Sequence, residues 1–400
     1  MTSRNGIHQD IVIVGGGMVG AAAAIGLAQL GLSVTVVEHF LPQSYDAEQP
    51  LDVRVSAISQ ASEKLLERFG AWPAIKQMRH AVYTGLETWE LDGFITQFDS
   101  QQIGSSHLGH IVENRLVQLG LWQQLEALDN VEIQCPAKVA RFERIDASAD
   151  SPIKVSLDCG EVIHTKLLVG CDGANSAVRE WAGIGLTGWD YKQSAMLINI
   201  ETQTPQQAVT WQQFTPSGPR SLLPLPGNNA SLVWYDSPQT IAKLMQLNPV
   251  QLAQQVRLHF PKRLDPNFIV TNKGAFPLTR RHSNQYYAEN VVILGDAAHT
   301  INPLAGQGVN LGFKDVDALV SQVAEALGNN ECWYAPQVLS KYQKQRYNDN
   351  LLMMTAMDAF YKSFSNDILP MKVLRNLVLK VANIDSPIKK KVLKYAMGLN

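Results

Sequence analysis

The chain has 400 residues, of which 46% are hydrophobic and 18% charged, and its formal net charge is −2 at pH 7. This length allows two domains, or one domain with a large insertion, and the composition is that of a soluble globular protein. The near-neutral charge gives no electrostatic reason to expect a nucleic-acid partner. The four cysteines are far apart and form no C-x-x-C pair, which argues against a zinc site or a disulfide framework, and we assign no metal ligands.

The beginning of the chain predicts a cytoplasmic protein. The leader MTSRNGIHQD lacks the apolar core of a signal peptide. No uninterrupted apolar run elsewhere reaches the length needed to span a bilayer.

Residues Asp10 to Glu38 predict a compact βαβ unit. Ile11–Val14 is a short apolar run typical of a buried strand, and Ser33–Glu38 is the second strand. Met18–Leu30, between them, is rich in small residues and predicts a helix pressed closely against the sheet. The unit is therefore a candidate dinucleotide-binding fold.

A glycine motif, Gly15-x-Gly17-x-x-Gly20, joins the first strand to the helix. Gly15 permits the tight turn, Gly17 lets the backbone approach a pyrophosphate, and Gly20 lets the helix lie close to the sheet. Glu38 ends the second strand, 18 residues after Gly20, where a carboxylate accepts the hydroxyls of an adenosine ribose. A carboxylate at this position favours a ribose with a free 2′-hydroxyl, which predicts FAD or NAD rather than NADP. The alternative is a tight structural turn without a ligand.

Between residues 42 and 184 helical and strand-like segments alternate. We predict a loop at Pro42–Asp52, a helix at Ser59–Phe69, antiparallel strands within Leu86–Phe98, a helix at Asn114–Leu128 and a strand–hairpin–strand unit over residues 131–170. From residue 185 to 280 short strand-like pieces separated by Pro and Gly predict a largely β insertion, and the α/β pattern returns from residue 290.

The run GDAAHTINPLAGQGVNLG, Gly295 to Gly312, follows a short apolar strand and precedes a helical pattern. Asp296 offers a carboxylate to sugar hydroxyls, and Pro303, Gly306 and Gly308 lead to backbone N–H groups at a helix N-terminus that favour negative charge. An isolated Gly-Asp would more often be an ordinary helix N-cap. NAD needs no second carboxylate on a distant segment, whereas FAD is long enough to cross the domain, so we predict FAD.

The predicted architecture is a mixed α/β fold with an FAD-binding, Rossmann-like domain that is split in sequence. An inserted β-sheet substrate domain and a helical C-terminal region complete it. We divide the chain into residues 1–80, 111–184 and 281–335 for the FAD-binding domain, 81–110 and 185–280 for the substrate domain, and 336–400 for the helical region.

These motifs together resemble the single-component, FAD-dependent aromatic hydroxylases of the para-hydroxybenzoate hydroxylase type, over essentially the whole chain. A third family motif is present at Gly170–Ser176 (GCDGANS), with Arg179 after it. In the family its Asp-Gly pair, here Asp172 and Gly173, lies near the FAD pyrophosphate and is linked to NAD(P)H use. Standing alone, the segment would be read as a β-turn followed by the start of a helix.

Within that family the chain is most similar to the ubiquinone-biosynthesis hydroxylases. The stretches Asp52–Ser59, Val112–Asn114 and His299–Asp315 are similar to theirs. Further similar stretches indicate the branch that acts on demethoxyubiquinol: Leu86–Glu90, Thr210–Phe214, Leu232–Asp236 and Ala275–His282.

The resemblance also implies contacts to FAD away from the glycine motif. It assigns Arg54 and Asn114 to the flavin, and the residues around the flavin ring are Pro303, Gly306, Gln307, Gly308 and Asn310. Many members carry Arg or Gln where this chain has Asn114, whose reach is shorter. Arg54 has an alternative as a surface salt-bridge partner.

Two other polar positions receive no catalytic role. His299 either caps a helix or lines the cavity, and we do not assign it as a base. We interpret Arg280–His282 as a solvated face. The residues that hold a substrate carboxylate in para-hydroxybenzoate hydroxylase have no counterpart that we can place, which fits a neutral polyprenyl quinol.

The resemblance implies a monooxygenase that uses FAD, NADH or NADPH as a transient reductant, and O₂ through a flavin hydroperoxide. Only one G-x-G-x-x-G is present, and the resemblance implies that NAD(P)H docks transiently without a nucleotide-binding domain of its own. The expected substrate is the aromatic ring of a polyprenyl quinol or phenol in ubiquinone biosynthesis. The alternatives are another ring position, a catabolic aromatic hydroxylase, a halogenase, whose WxWxIP-like motif we do not find, and a non-enzymatic FAD- or prenyl-binding escort protein.

A polyprenyl substrate partitions into the bilayer, so the resemblance implies a protein that is cytoplasmic and peripheral at the inner membrane, or part of a multiprotein ubiquinone-biosynthesis complex. The segment Met371–Lys394 mixes apolar residues with seven Lys and Arg side chains. Such a basic amphipathic segment can bind anionic lipid or a partner protein. The alternative is a helix pair packed on the FAD-binding domain with solvated lysines.

Overall fold

A computed structural model gives the fold. It describes residues 7–146, 151–203, 205, 208–301 and 308–364, together with 372, 375, 376, 389 and 391. Among the helices in these ranges, none combines the length and apolar character needed to cross a membrane.

The strands and helices are numbered in chain order. The strands are β1 (Ile7–Val14), β2 (Val34–Val37), β3 (Val55–Ser59), β4 (Ala81–Tyr83), β5 (Gly85–Trp89), β6 (Thr96–Asp99), β7 (Gly109–Glu113), β8 (Val131–Gln134), β9 (Val139–Arg144), β10 (Ile153–Leu157), β11 (Val162–Gly170), β12 (Leu186–Thr202), β13 (Val209–Gln213), β14 (Arg220–Pro224), β15 (Asn229–Asp236), β16 (Phe268–Ser283), β17 (Tyr287–Ala288), β18 (Val291–Ile293) and β19 (His299–Thr300). The helices are α1 (Met18–Ala28), α2 (Gln60–Arg68), α3 (Trp72–Gln77), α4 (Asn114–Glu126), α5 (Ala177–Trp181), α6 (Pro238–Gln246), α7 (Pro249–His259), α8 (Gly308–Gly328) and α9 (Pro336–Phe364).

The first sheet has a parallel centre. β1 lies between β2 and β11, β8 follows β2, and β18 pairs with β11, all in parallel. The chain therefore returns to this sheet near residue 291, after a long excursion. α1 packs on it through Ala21–Ala24, which are fully buried. Small side chains let this helix approach the sheet closely, as the sequence predicts.

The second sheet runs in the order β19-β16-β12-β15-β14-β13-β5-β6. The antiparallel pair β5–β6 joins it because β5 pairs in parallel with β13, 120 positions later in the chain. Helices α6 and α7 pack on this sheet and are absent from the sequence prediction of a largely β insertion. Both begin at a proline preceded by a capping side chain, Ser237 and Asn248. The Pro and Gly clusters that look like strand breaks thus include helix starts.

A third sheet has the order β3-β7-β4, and its Tyr83 and Ile111 pack in a cluster with Leu86 and Phe98 of the second sheet. The loop that leads into β3 is held by Glu113 at the end of β7. The Glu113 carboxylate accepts a hydrogen bond from the Asp52 amide at 2.7 Å and forms a 2.8 Å ion pair with Arg79. Arg54, which follows this loop, is therefore held at the junction of the sheets. The mixed α/β fold is as predicted, while the proposed domain boundaries stay a prediction.

Most of Met371–Lys394 lies outside the described residues, but four of its basic residues are described: Lys372, Arg375, Lys389 and Lys391. Arg375 is buried and forms a 2.5 Å ion pair with Glu90. Lys389 is buried with its ammonium 5.4 Å from the centre of the Phe98 ring. Neither side chain belongs to a solvated face, whereas Lys391 is exposed.

Candidate functional site

The glycine turn after β1 is built from close backbone contacts. Gly15 has φ +101°, and a Cβ there would lie 2.4 Å from the Cys171 carbonyl oxygen. A Cβ on Gly20 would lie 1.9 Å from the Gly15 carbonyl oxygen. A Cβ on Gly17 would meet nothing within 4 Å, and no side chain caps α1 there. The turn is therefore tight on its protein side and open in front of the helix N-terminus.

Glu38 is oriented by this turn. Its Oε2 accepts a hydrogen bond from the Gly16 amide at 2.7 Å, and its Oε1 accepts one from the Phe40 amide at 2.9 Å. The Trp122 indole N–H donates to the Gly16 carbonyl at 2.7 Å. Trp122 also lines, with Leu41, a cavity of about 530 Å³ whose lining includes neither the turn residues nor Glu38. The carboxylate retains further lone pairs for ligand hydroxyls.

Asp172 lies beside Gly15, because Cys171 follows β11 and its amide donates to the Val14 carbonyl at 2.8 Å. Asp172 Oδ2 accepts hydrogen bonds from the amides of Ala177 (2.7 Å) and Val178 (3.2 Å), so one oxygen does start the next helix. Asp172 Oδ1 is buried and has no hydrogen-bond partner among the described residues. A buried acceptor of this kind is costly unless a ligand or water satisfies it.

Arg179 connects this segment to the second nucleotide motif. It donates to the Ala174 carbonyl and to the Ala297 carbonyl, both at 2.9 Å. Ala297 follows Asp296 in the turn after β18. The two motifs, more than one hundred residues apart, are thus joined by one guanidinium.

Asp296 and Arg54 lie close enough for their charges to interact. The side chain of Asp296 is exposed to solvent. Partial desolvation by the surrounding protein nevertheless raises the pKa of its carboxyl group, while the charges of His299 and Arg54 act to lower it. Arg54 is exposed and lies over the Phe276 ring, 5.9 Å from its centre, in β16. No ion pair of Arg54 occurs in the part of the chain that the structure describes. The salt bridge that was the alternative to a flavin contact for Arg54 is therefore not observed among the described residues.

Asn114 and Asn310 are both engaged by neighbouring groups. Asn114 Oδ1 accepts a 2.7 Å hydrogen bond from the Ser56 hydroxyl, and the backbone N–H of Asn114 donates to the Arg54 carbonyl at 3.0 Å. Asn310 Oδ1 accepts from the Ser59 amide at 3.0 Å and from the Ser62 hydroxyl at 2.7 Å. These bonds attach the first turn of α8 to α2.

The loop before α8 carries several predicted flavin contacts. Pro303, Gly306 and Gln307 lie outside the described residues. Gly308 is the first residue of α8, and a Cβ there would meet nothing within 4 Å. The described part of α8 thus follows this loop directly, and the flavin contacts assigned to the loop stay a prediction.

A buried ionic network lies beneath the Asp296 turn, and sequence reasoning missed it. The fully buried Asp315 accepts hydrogen bonds from the Gly295 amide (3.1 Å) and Arg346 Nε (2.9 Å), and its Oδ2 lies 2.5 Å from His299 Nε2. Although burial alone would raise it, the pKa of Asp315 is held well below its usual range by His299 and Arg346. His299 is therefore part of a structural network and neither caps a helix nor faces open solvent.

The interpretation of Arg280–His282 as a solvated face is wrong. Arg280 is buried and forms a 2.7 Å ion pair with Asp358 of α9. His282 is buried with its Nε2 2.8 Å from the Tyr286 hydroxyl, and burial lowers the pKa of His282 to about 4. β16 faces α9 here, so alternate residues point inward, which a run of charged letters conceals.

The residues of the glycine turn, together with Glu38, Asp172 and Asp296, fit FAD. An open helix N-terminus at Gly17 suits a pyrophosphate, the Glu38 carboxylate suits a ribose, and Asp172 Oδ1 is a buried acceptor without a partner. Asp296 lies at the other motif, which Arg179 ties to the Asp172 segment. The arrangement provides polar groups for both ends of a long dinucleotide.

Comparisons with known proteins agree with this site. Residues 8–350 match the family model described as FAD binding domain. The chain is 48% identical over 98% of its length to 98% of the Escherichia coli protein 3-demethoxyubiquinol 3-hydroxylase. It is 33% identical over 99% of its length to 90% of the mitochondrial ubiquinone biosynthesis monooxygenase COQ6 of Danio rerio. The crystal structure of p-nitrophenol 4-monooxygenase PnpA from Pseudomonas putida superposes with a TM-score of 0.79 at 19% identity, covering 98% of this chain and 97% of that one.

The match to the family model spans most of the chain, and the relatives match it at nearly full length. The predicted family, the mixed α/β fold and the FAD cofactor are therefore confirmed. The chain belongs to the family of FAD-dependent monooxygenases that share this FAD binding domain.

Proposed function

We propose that this monooxygenase hydroxylates the aromatic ring of demethoxyubiquinol, a polyprenyl quinol intermediate of ubiquinone biosynthesis, with NAD(P)H and O₂. The observation that carries the proposal is 48% identity over 98% of both chains to a protein named for that hydroxylation. The relative from Danio rerio is named for ubiquinone biosynthesis as well. The site residues below are assigned on this basis.

The chain's own groups bind and orient the cofactor. We assign the N-terminus of α1 at Gly17 to the pyrophosphate, with Gly15 and Gly20 shaping the turn. Glu38 accepts ribose hydroxyls, and Asp172 Oδ1 accepts from the cofactor or a water beside it. Bound FAD supplies the redox chemistry, taking hydride from NAD(P)H and activating O₂.

At the flavin end we assign Asp296 and Arg54 to the cofactor, with Asn114 beside Arg54, whereas Gly173 stays with Asp172 at the pyrophosphate. The N-terminus of α8 at Gly308 favours negative charge, and Pro303, Gly306 and Gln307 precede it. Because its side chain is already bonded to α2, Asn310 acts as a positioning residue that holds this helix start.

The wall of the second sheet next to Arg54 suits a neutral aromatic substrate. Phe276 lies under Arg54 and packs with a buried cluster that includes Tyr191, Tyr235 and Leu278. Arg280, on the same strand as Phe276, is paired with Asp358 and is not available for a substrate carboxylate. A quinol ring with an apolar tail matches this chemistry better than a benzoate does.

The first prediction is that a quinol stimulates NAD(P)H oxidation. The purified protein should show the absorption spectrum of bound FAD, and a short-chain demethoxyubiquinol should increase the rate of NAD(P)H consumption, because binding of the substrate ring promotes reduction of the flavin. p-Hydroxybenzoate is the matched control and should give no stimulation. An escort protein would bind FAD without stimulation by any quinol or phenol, and that result would refute the proposal.

We also propose that the protein contacts a membrane surface, since its substrate carries a polyprenyl tail. The exposed Lys391 and the neighbouring Lys394 are the basic side chains to test, whereas Lys389 is buried and its reversal would disturb packing. Vesicles with anionic lipid should co-sediment the wild type, and a Lys391→Glu, Lys394→Glu variant should bind less, since each basic group near such a surface contributes about 1 kcal/mol. Equal binding of vesicles by the wild type and the variant would show that Lys391 and Lys394 do not form the membrane contact.

A further inference from the structure

Three metal-binding side chains converge on one face of the third sheet, away from the groups assigned to FAD. Glu63 comes from the first turn of α2, and His107 and His110 flank the start of β7. One ligand atom from each lies within 4.8 Å of the other two. We propose that Glu63, His107 and His110 form a binding site for Zn²⁺.

The distances between the ligand atoms are close to those around a tetrahedral ion. Glu63 Oε2 lies 2.7 Å from His107 Nε2, and Glu63 Oε1 lies 3.3 Å from His110 Nε2. Ligands about 2.0–2.1 Å from a tetrahedral zinc ion are roughly 3.3 Å apart. Glu63 Oε2 and His107 Nε2, now at hydrogen-bond distance, must move apart by roughly 0.6 Å to admit the ion.

His110 is poorly partnered for a buried imidazole: among the described residues its Nε2 has only the 3.3 Å contact with Glu63 Oε1, and its Nδ1 has no hydrogen-bond partner. It is 5% exposed, and neither of its ring nitrogens forms a well-aligned hydrogen bond with the described residues. The ring instead packs edge-on against Trp72, with the two ring centres 4.9 Å apart. Buried polar groups normally have hydrogen-bond partners, so the weakly engaged His110 imidazole is suited to binding a ligand.

The second histidine is prepared to coordinate through Nε2. The Ser106 hydroxyl lies 2.9 Å from His107 Nδ1 and can accept a hydrogen bond from Nδ1–H when Nε2 gives up its contact with Glu63 and binds the ion. Gln60 Nε2 donates to the His107 carbonyl at 2.6 Å and so holds His107 over α2. Glu63 and His107 are only partly buried, which leaves a path for the ion and a water as the fourth ligand.

The donor set selects among metals. Two imidazole nitrogens and one carboxylate are typical of zinc sites with an open position. Mg²⁺ and Ca²⁺ prefer all-oxygen sites, so they should not compete. Ser59, which caps α2, and Ser62, in its first turn, both bind Asn310 at the start of α8, so the ion would stabilise the helix that supports the flavin end.

Calorimetric titration of the full-length, tag-free, FAD-loaded protein with Zn²⁺ tests the site. A Cys159→Ser, Cys332→Ser background removes the two exposed thiols. We expect one Zn²⁺ per chain and no response to Mg²⁺. His107→Gln and Glu63→Gln should each weaken binding at least about 100-fold, because loss of an outer-shell partner alone costs 10–100-fold. His164→Gln, in a histidine pair on β1 and β11, is the matched control and should bind as the background does.

His110→Gln extends the test to the buried ligand, provided that the variant retains bound FAD. His107 and Glu63 are partly exposed, so their variants decide the matter if His110→Gln does not fold. No saturable Zn²⁺ binding by the background protein, or binding that His107→Gln and Glu63→Gln both retain, would overturn the proposal. Neither result depends on turnover, so the site and the proposed hydroxylation fail independently.

Discussion

The variant Asp315→Asn is expected to lose about 3–5 kcal/mol of unfolding free energy, because removing one partner of a buried ion pair leaves the other charge uncompensated. Asp315 is fully buried, and Arg346, at 2.9 Å, and His299, at 2.5 Å, both depend on it. The Gly295 amide also loses its carboxylate acceptor. Urea unfolding followed by tryptophan fluorescence measures the difference. Binding of FAD should weaken in parallel, since this network supports the Asp296 turn.

Asp317→Asn is the matched control on the same helix. Asp317 pairs with Arg68, but both side chains are about half exposed, so the loss should be below about 1 kcal/mol. Equal losses at Asp315 and Asp317 would contradict the assigned role of the network.

The same network gives a pH dependence. The pKa of Asp315 is lower in the folded than in the unfolded protein, so its stabilisation is present above an unfolded pKa of about 3.9 and is lost as the pH falls further. The difference between wild type and Asp315→Asn should therefore shrink as the pH falls below about 4. A difference that grows as the pH falls through this range would have the wrong sign.

The second large effect concerns the glycine turn, where two substitutions should fail differently. A Cβ at Gly20 would lie 1.9 Å from the backbone oxygen of Gly15, which no side-chain rotation relieves, so Gly20→Ala should cost about 3 kcal/mol or more in unfolding free energy. Gly17→Ala meets no protein atom within 4 Å and has ordinary φ −67°, so it should cost less than about 1 kcal/mol.

The two variants also separate folding from cofactor binding. If the pyrophosphate lies against the N-terminus of α1, the extra methyl of Gly17→Ala occupies its place, and FAD affinity should fall at least about tenfold. Fluorescence titration of the apoprotein with FAD measures the affinity. Unchanged FAD affinity in Gly17→Ala would contradict the assignment of the pyrophosphate to this helix end.

The parts of the site that are formed by contiguous residues can be predicted from the sequence. The turn from Gly15 to Gly20 and the carboxylate of Glu38 follow from one βαβ unit, whose strands and helix appear close to their predicted bounds. Asp296 and the start of α8 at Gly308 are likewise local features of one run.

The remaining contacts depend on the tertiary fold. Asp315 reads as an ordinary helical residue until His299 and Arg346 are brought to it from β19 and α9. Arg280 reads as solvated until α9 supplies Asp358. Glu63 lies 44 residues before His107, a spacing that matches no metal motif, although the local pair His107-x-x-His110 is a signal that a search limited to cysteine misses.

Incubation with NAD(P)H, a short-chain demethoxyubiquinol and isotopically labelled O₂ tests the central claim most directly. Mass spectrometry of the quinol then shows whether the ring has gained an oxygen atom and from where. The account predicts a ring-hydroxylated product that carries one labelled oxygen, formed by the wild type and lost in step with FAD binding in Gly17→Ala. A protein that consumes NAD(P)H but leaves the quinol unmodified, or whose product carries oxygen from water, would contradict it.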